Sequence, residues 1–539
     1  MNTFLFHDYE TFGLDTKRSR ASQYASIRTD EDLNIIPGEE KVLYCLPQID
    51  YLPSPEACLV TGITPLEIIE KSKVKDPSYE VLSEYDFFKR INEEFSSPST
   101  ISLGYNSIRY DDEISRNGFY RNLLPVYERE WKNNCSRWDI IPVVRMYAFL
   151  YPNEINIPTD EEGKPSFRLE KLSVANGFKI ENEGEAGANF HDALTDVRAT
   201  IYMAKMMKDN HPEFWSYFLT NKNKNDVKNS LVTSIGKIAF CNSTYFGGDA
   251  KYTEPCFIIG FSKANAGNFF SIKLNNIETI KNFMSLSVEE VKSKLYLKRD
   301  NPEYVEMPIH QIEINKTAPM IPFDKLNVLF GETDVATKLS ELGKDPNGIK
   351  EAYAFVKDNL SEIENKLNKV FDKGFENQQT NDPELAIYGG FAPKSDEQKL
   401  FYFHRDLASR SFAKYFENNV FEDKRYNELA RRVILRNFLD DVKQIPSMTD
   451  IVSEWYKVAT FKIHKGYDYR INNSENPEIL LDNTLPSLKE KIPELEKTLD
   501  ERGLAIMAKI KEGINLQYRE LRENGGLEQA APARKTPKP

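Results

Sequence analysis

At 539 residues the chain exceeds what one hydrophobic core usually supports, so about two to four domains are expected. Its 40% hydrophobic and 12% aromatic content can fill proper cores, but a net charge of -12 excludes a protein held to nucleic acid by its overall field; any such site must be a local channel. Cys45, Cys58, Cys135, Cys241 and Cys256 form no CxxC pair, which points to neither a zinc site nor a disulfide framework.

Residues 1–206 read as alternating strands and helices. The opening strand is followed by YASIRTDEDLNII and KVLYCLP, two strands joined by a polar turn, and later by the strand-like TISLGYNS. Helical periodicity marks WDIIPVVRMYAFLY, with Asp139 read as its N-cap, then RLEKLSVANG and DALTDVRATIYMAKMMKD. After the polar stretch at 221–230 the short β-like runs KIAFCNSTYF, CFIIGFS and FFSIKL suggest a small barrel or sandwich. Helical patterns return near Asn347 and dominate from Thr380, including YNELARRVILRNFLDDV; the tail from 525 lacks apolar periodicity and reads as disordered. No internal repeat is visible. The N-terminus enters a strand pattern directly, and no run approaches the ~20 apolar residues of a membrane span, so the expectation is a soluble cytoplasmic protein.

Within the first strand, FLFHDYETFG places Asp8 and Glu10 two residues apart. Side chains alternate faces along a strand, so these carboxylates share one face, with backbones ~7 Å apart, and can converge on a hard cation. Buried without partners they repel one another, so a site that keeps both ionised needs metal or basic neighbours. Taken alone, the pair also describes a solvated edge strand. Two further segments follow in order: LGYNSIRYDDE puts Asp111 after a strand and turn, and NFHDALTD puts His191 five residues before Asp196. Five helical residues turn through ~500°, which places His191 in the loop ahead of the helix that carries Asp196. Asp192, nearer the helix start, reads as a charge favoured by the helix dipole and stays outside the ligand set. The other histidines, His7, His211, His310, His404 and His464, read as structural or surface groups.

D-x-E, N-x-x-x-[FY]-D and H-x-x-x-x-D, in this order across residues 8–196, resemble the DEDDh 3′→5′ exonucleases. Within that superfamily FLFHDYETFG, LVTGITP, LGYNSIRYDDE, SRWD and PSFRLEKL, with AIYGGF and RNF further on, are similar to the bacterial exonuclease I family. The resemblance implies an α/β architecture: a ribonuclease H-like mixed-sheet exonuclease domain at 1–206, an SH3-like β-rich domain with helical insertions at 212–377, an all-α C-terminal domain at 380–524 and a tail at 525–539. It implies that Asp8, Glu10, Asp111 and Asp196 bind two Mg2+ ions, replaceable by Mn2+, with His191 as general base. The implied reaction is processive release of 5′-mononucleotides from the 3′ end of single-stranded DNA, in repair and recombination. A 3′→5′ exoribonuclease and a catalytically silent nucleic-acid scaffold on the same fold are the rival readings.

For substrate contacts, Glu10, Thr11, Phe12 and Gly13 are expected beside the terminal nucleotide, with Phe12 stacking on it, and TGITP at 61–65 as a second loop nearby. Arg109, Tyr110 and Arg168 are candidates for the phosphate path, and Arg431, Arg432 and Arg436 for the channel wall; each also reads as an ordinary surface or core residue. The resemblance further implies docking on the acidic tail of single-strand DNA-binding protein. A monomer without membrane contact is expected.

Overall fold

The computed structural model describes residues 2–180, 191–248, 251–316, 319–332, 334–373, 380–471 and 477–525. The tail expected to lack structure, from 526 on, lies outside the described residues. Among the described residues, no helix is long and apolar enough to cross a membrane.

The first sheet contains β1 (Thr3–Thr11), β2 (Ala21–Thr29), β3 (Ile35–Cys45), β4 (Glu80–Leu82), β5 (Thr100–Gly104) and β6 (Ser136–Asp139), in the order β4-β3-β2-β1-β5-β6. Strand β2 runs antiparallel to β1 and β3, whereas β5 runs parallel to β1 and β6 parallel to β5. This is the mixed sheet of a ribonuclease H-like domain. Strand β1 is central, and its alternation feeds two cores. Phe4 and Phe6 pack with Trp138, Trp215 and the helix Ala193–Asn210. Leu5 and Tyr9 point the other way, toward Phe87, Phe88 and Phe119 of the helices Glu84–Phe95 and Asp111–Arg121. By the same alternation Asp8 and Glu10 face the helix Ala193–Asn210, which carries Asp196.

Asp139 proves to be the last residue of β6 and not the N-cap of the helix Ile141–Leu150, which is Ile140. Its carboxylate accepts from the backbone N–H groups of Asn106 (2.9 Å), Ile108 (3.2 Å) and Ile141 (3.1 Å). It thus ties the helix start to the turn that leads into Asp111.

The second sheet is wholly antiparallel, β7 (Ile238–Asn242), β8 (Thr253–Phe261), β9 (Asn268–Lys273), β10 (Ile309–Glu313) and β11 (Met320–Pro322), ordered β10-β9-β8-β7-β11. The polar stretch at 221–230 lies largely in the helix Lys224–Thr233, whose Val227 and Leu231 are buried against this sheet. From 380 onward the described structure is helical, and its last helix, Glu501–Glu523, packs on Pro55–Thr61 and Pro65–Lys71. The TGITP segment is therefore the turn between two short helices gripped by the C-terminal region.

The arginines proposed for a channel wall lie elsewhere. The side chains of Arg432 and Arg436 are buried in an ion cluster between the first domain and the helical region. Arg436 pairs with Asp50 (2.6 Å) and Glu384 (2.6 Å), Lys462 with Asp50 (2.8 Å), Arg20 with Glu384 (2.7 Å), and Arg432 with Asp382 (2.8 Å) and Glu384 (2.6 Å). Burial by itself raises the pKa of Asp50, but Arg436 and Lys462 outweigh it and hold the carboxyl well below its usual range. Arg431 donates to the Tyr415 carbonyl and to Asn419.

Candidate active site

Carboxylate oxygens of Asp8, Glu10 and Asp196 lie within 4.8 Å of one another. The first two come from β1 through strand alternation, and Asp196 comes from the first turn of the helix Ala193–Asn210. Asp111, 3% exposed, opens the helix Asp111–Arg121 and accepts the Tyr9 backbone N–H (3.1 Å), which fixes it alongside β1 next to Asp8. Among the described residues no lysine or arginine pairs with any of the four acids.

The electrostatics follow from that lack of compensation. Burial, then the charges of Asp111, Asp196 and Glu10, push Asp8 well above the usual carboxylate range. Burial and the neighbouring acids do the same to Glu10, and burial and Asp112 to Asp111. Asp196 is pushed up to about 7 by burial, Glu170 and Asp192. Three converging oxygens and an adjoining fourth acid, with no basic partner among the described residues, form a donor set that fits hard divalent ions. A cation placed there would favour the ionised carboxylates and oppose these shifts.

His191 directly precedes the helix N-cap, Asp192, and is exposed, with φ of 68°. Asp192 accepts from the Thr195 backbone (3.4 Å) and from the Gln23 side chain (2.9 Å), so its carboxylate is engaged in capping. Glu170, in PSFRLEKL, had no distinct signal in the sequence and adds negative charge at Asp196. Leu14, 86% exposed, directly follows Gly13.

The remaining expected contacts divide sharply. Phe12 is 2% exposed, packed with Tyr51, Leu52 and Leu481, so its ring has no open face for a base; the stacking expectation is corrected. Thr11 is also buried, and both its hydroxyl (2.6 Å) and that of Tyr110 (3.0 Å) donate to the Gly13 carbonyl. These two side chains brace the loop instead of presenting their hydroxyls to solvent. Arg109 and Arg168 are exposed, the latter at the N-cap of the helix Leu169–Ala175. With Arg145, Lys316 and Tyr245, Arg109 lines a cleft of about 600 Å3 between the two sheets' domains, whose wall also carries Glu113, Asp139 and Glu313, the last paired with Lys316 at 2.8 Å.

Residues 5–204 match the exonuclease family RNase_T, and residues 222–373 match the Exonuclease I SH3-like domain. Exodeoxyribonuclease I of Haemophilus influenzae is 34% identical over 470 residues, 86% of this chain and 91% of the relative. The chain belongs to the exodeoxyribonuclease I family. Exodeoxyribonuclease I of Escherichia coli is 34% identical over 445 residues, 81% of this chain and 86% of that one. The structure of E. coli exonuclease I in complex with a dA16 oligonucleotide superposes with a TM-score of 0.77 at 28% identity, covering 96% of this chain and 100% of that chain. A zinc-bound form of the E. coli enzyme with single-stranded DNA is similar at a TM-score of 0.76, 28% identity and coverage of 96% and 100%. Family membership makes the chain an exonuclease, and the uncompensated acids are its candidate divalent-metal centre.

Proposed function

We propose that this protein hydrolyses single-stranded DNA from the 3′ end, releasing 5′-mononucleotides, with two Mg2+ ions held by Asp8, Glu10, Asp111 and Asp196. The observation that carries the reading is the acid cluster itself: four carboxylates, none paired with a Lys or Arg of the described residues, three of them within 4.8 Å of one another. A silent scaffold has no use for such a destabilising group. Bound divalent ions supply Lewis acidity, making a water nucleophilic and neutralising charge on the departing oxygen.

The chain's own residues do the rest. Asp8 and Glu10 are fixed by strand geometry and Asp196 by a capped helix, so the ligand set is preorganised. His191 precedes that helix, and its imidazole nitrogen is the group assigned to take the proton from the attacking water. Thr11 and Tyr110 hold the Gly13 carbonyl, which orients the loop bearing Leu14 next to the terminal nucleotide. Arg109 and Arg145, in a cleft whose other basic group, Lys316, is paired with Glu313, are the cations available to phosphates arriving from the 5′ side.

Docking of the acidic tail of single-strand DNA-binding protein, a monomeric state, cytoplasmic location and a separate all-α domain at 380–524 belong to the same reading. Incubating the protein with 3′- and 5′-labelled single strands, duplex and RNA, in Mg2+ or EDTA, tests it. Mg2+-dependent shortening of the DNA single strand from its 3′ end supports the proposal, and equal cutting in EDTA or a preference for RNA refutes it.

A further inference from the structure

The loop that follows β1 receives a carboxylate from the far end of the chain. Asp482 lies between Leu481, packed with Phe12 in the same apolar core, and Asn483, 5% exposed, just ahead of the helix Leu485–Glu496. The backbone N–H of Leu480 donates to the Gly466 carbonyl (2.6 Å), and Thr484 caps the helix, so the segment is pinned on both sides of Asp482. From that anchored position the Asp482 carboxylate accepts from the Ser19 hydroxyl (3.3 Å) and lies 4.0 Å from the Arg18 guanidinium. It also closes over the Gly13 α-carbon. A Cβ built on Gly13 would sit 2.6 Å from Ser19 Oγ and 3.1 Å from Asp482 Oδ2, so any side chain there would displace the Ser19–Asp482 contact.

The 13–19 loop is thus clamped from two sides. Tyr110 and Thr11, next to the candidate metal ligands Asp111 and Glu10, hold the Gly13 carbonyl, while Asp482 holds Ser19; Arg18 pairs more closely with Asp15 of the loop itself (3.2 Å). Leu14, 86% exposed, projects from between these two attachments. We propose that Asp482, contributed by the C-terminal helical region, is a positioning residue that sets this loop as the wall against which the terminal nucleotide is held. The inference rests on the exonuclease reading above. A role in positioning, as opposed to general stability, follows from the placement: Asp482 is an exposed residue and its ion pair is long, a kind of contact that contributes little to folding.

Full-length Asp482→Ala and Asp482→Asn, with Ser19→Ala alone and combined with Asp482→Ala, test this on a 3′-labelled single strand in Mg2+. Misplacing a wall of the site should lower kcat about tenfold in Asp482→Ala. KM should change less than about twofold, because phosphate contacts along the cleft carry most strand affinity. The melting temperature should stay unchanged, and Asp482→Asn, which keeps an oxygen acceptor for Ser19, should recover most of the lost kcat. Ser19→Ala should add nothing to Asp482→Ala, as expected of residues acting through one contact. A wild-type kcat in Asp482→Ala overturns the proposal, as does a loss that tracks a lowered melting temperature and is not recovered by Asn. Wild-type protein that leaves the strand uncut removes the exonuclease reading and this inference with it; normal cutting by both wild type and Asp482→Ala removes this inference alone.

Discussion

Asp111 and Asp50 are almost equally buried, 3% and 1% exposed, yet the protein treats them in opposite ways. Asp50, like Glu384 and Asp382, is met by arginine and lysine side chains at 2.6–2.8 Å, and its carboxyl stays ionised far below the usual range. Asp111, with Asp8, Glu10 and Asp196, has no lysine or arginine partner among the described residues, and all four are pushed upward by burial and neighbouring acids. The first cluster pairs its acids with bases and joins the exonuclease region to the C-terminal helices. The second has no basic partner among the described residues, which marks it as a place where cations arrive from outside.

Substitutions separate the two clusters. Asp8→Ala or Asp196→Ala should reduce single-strand cleavage to background while leaving strand binding intact and the metal-free melting temperature no lower, because each removes a repelling charge. Steady-state cleavage, a binding titration and thermal melting check this; normal cleavage by Asp8→Ala would end the metal assignment. Next in size, His191→Ala should slow the chemical step by about 10²–10⁴-fold, the usual contribution of a positioned base, measured in single-turnover reactions. Glu384→Ala should act on the other side of the contrast. It strands Arg20, Arg432 and Arg436 without a shared partner, and breaking such a buried pair typically costs ~3–5 kcal/mol, read by denaturant unfolding.

The pH response sharpens the comparison, because the two clusters carry opposite signs. In the unfolded chain all these carboxyls ionise near pH 4. The metal-site acids have raised folded values, Asp196 about 7, so the metal-free folded state binds extra protons and loses stability as pH rises from about 4 through 7. Asp50 and Glu384 have depressed values, so their stabilisation is present above about pH 4 and lost as pH falls below it. Mg2+ should therefore raise the melting temperature more at pH 8 than at pH 6, with a stabilisation of ~2.7 kcal/mol per bound ion at a hundredfold excess over its Kd. A pH-independent shift would contradict the raised carboxyls.

Legibility in the sequence follows the same physical division. Strand period places Asp8 and Glu10 together, and helix geometry separates His191 from Asp196, because both depend on neighbours a few residues away. The long-range partners were not legible. An amphipathic helix shows that Arg432 and Arg436 occupy one face, but not that the face meets Asp50, 386 residues from Arg436 in the chain. Phe12 reads as an available ring until the helical region supplies the core that covers it, and Asp482 carries no local signal at all. Asp139 satisfies the pattern of a helix cap, yet its carboxylate also serves a turn more than thirty residues earlier.

The most direct test of the uncompensated cluster is anomalous diffraction from crystals soaked in Mn2+ at pH 8, for wild type and for Asp196→Ala. We expect manganese peaks bounded by Asp8, Glu10 and Asp196 with Asp111 alongside, weakened or lost in the variant. A wild-type crystal with manganese elsewhere and none between these carboxylates would contradict the account.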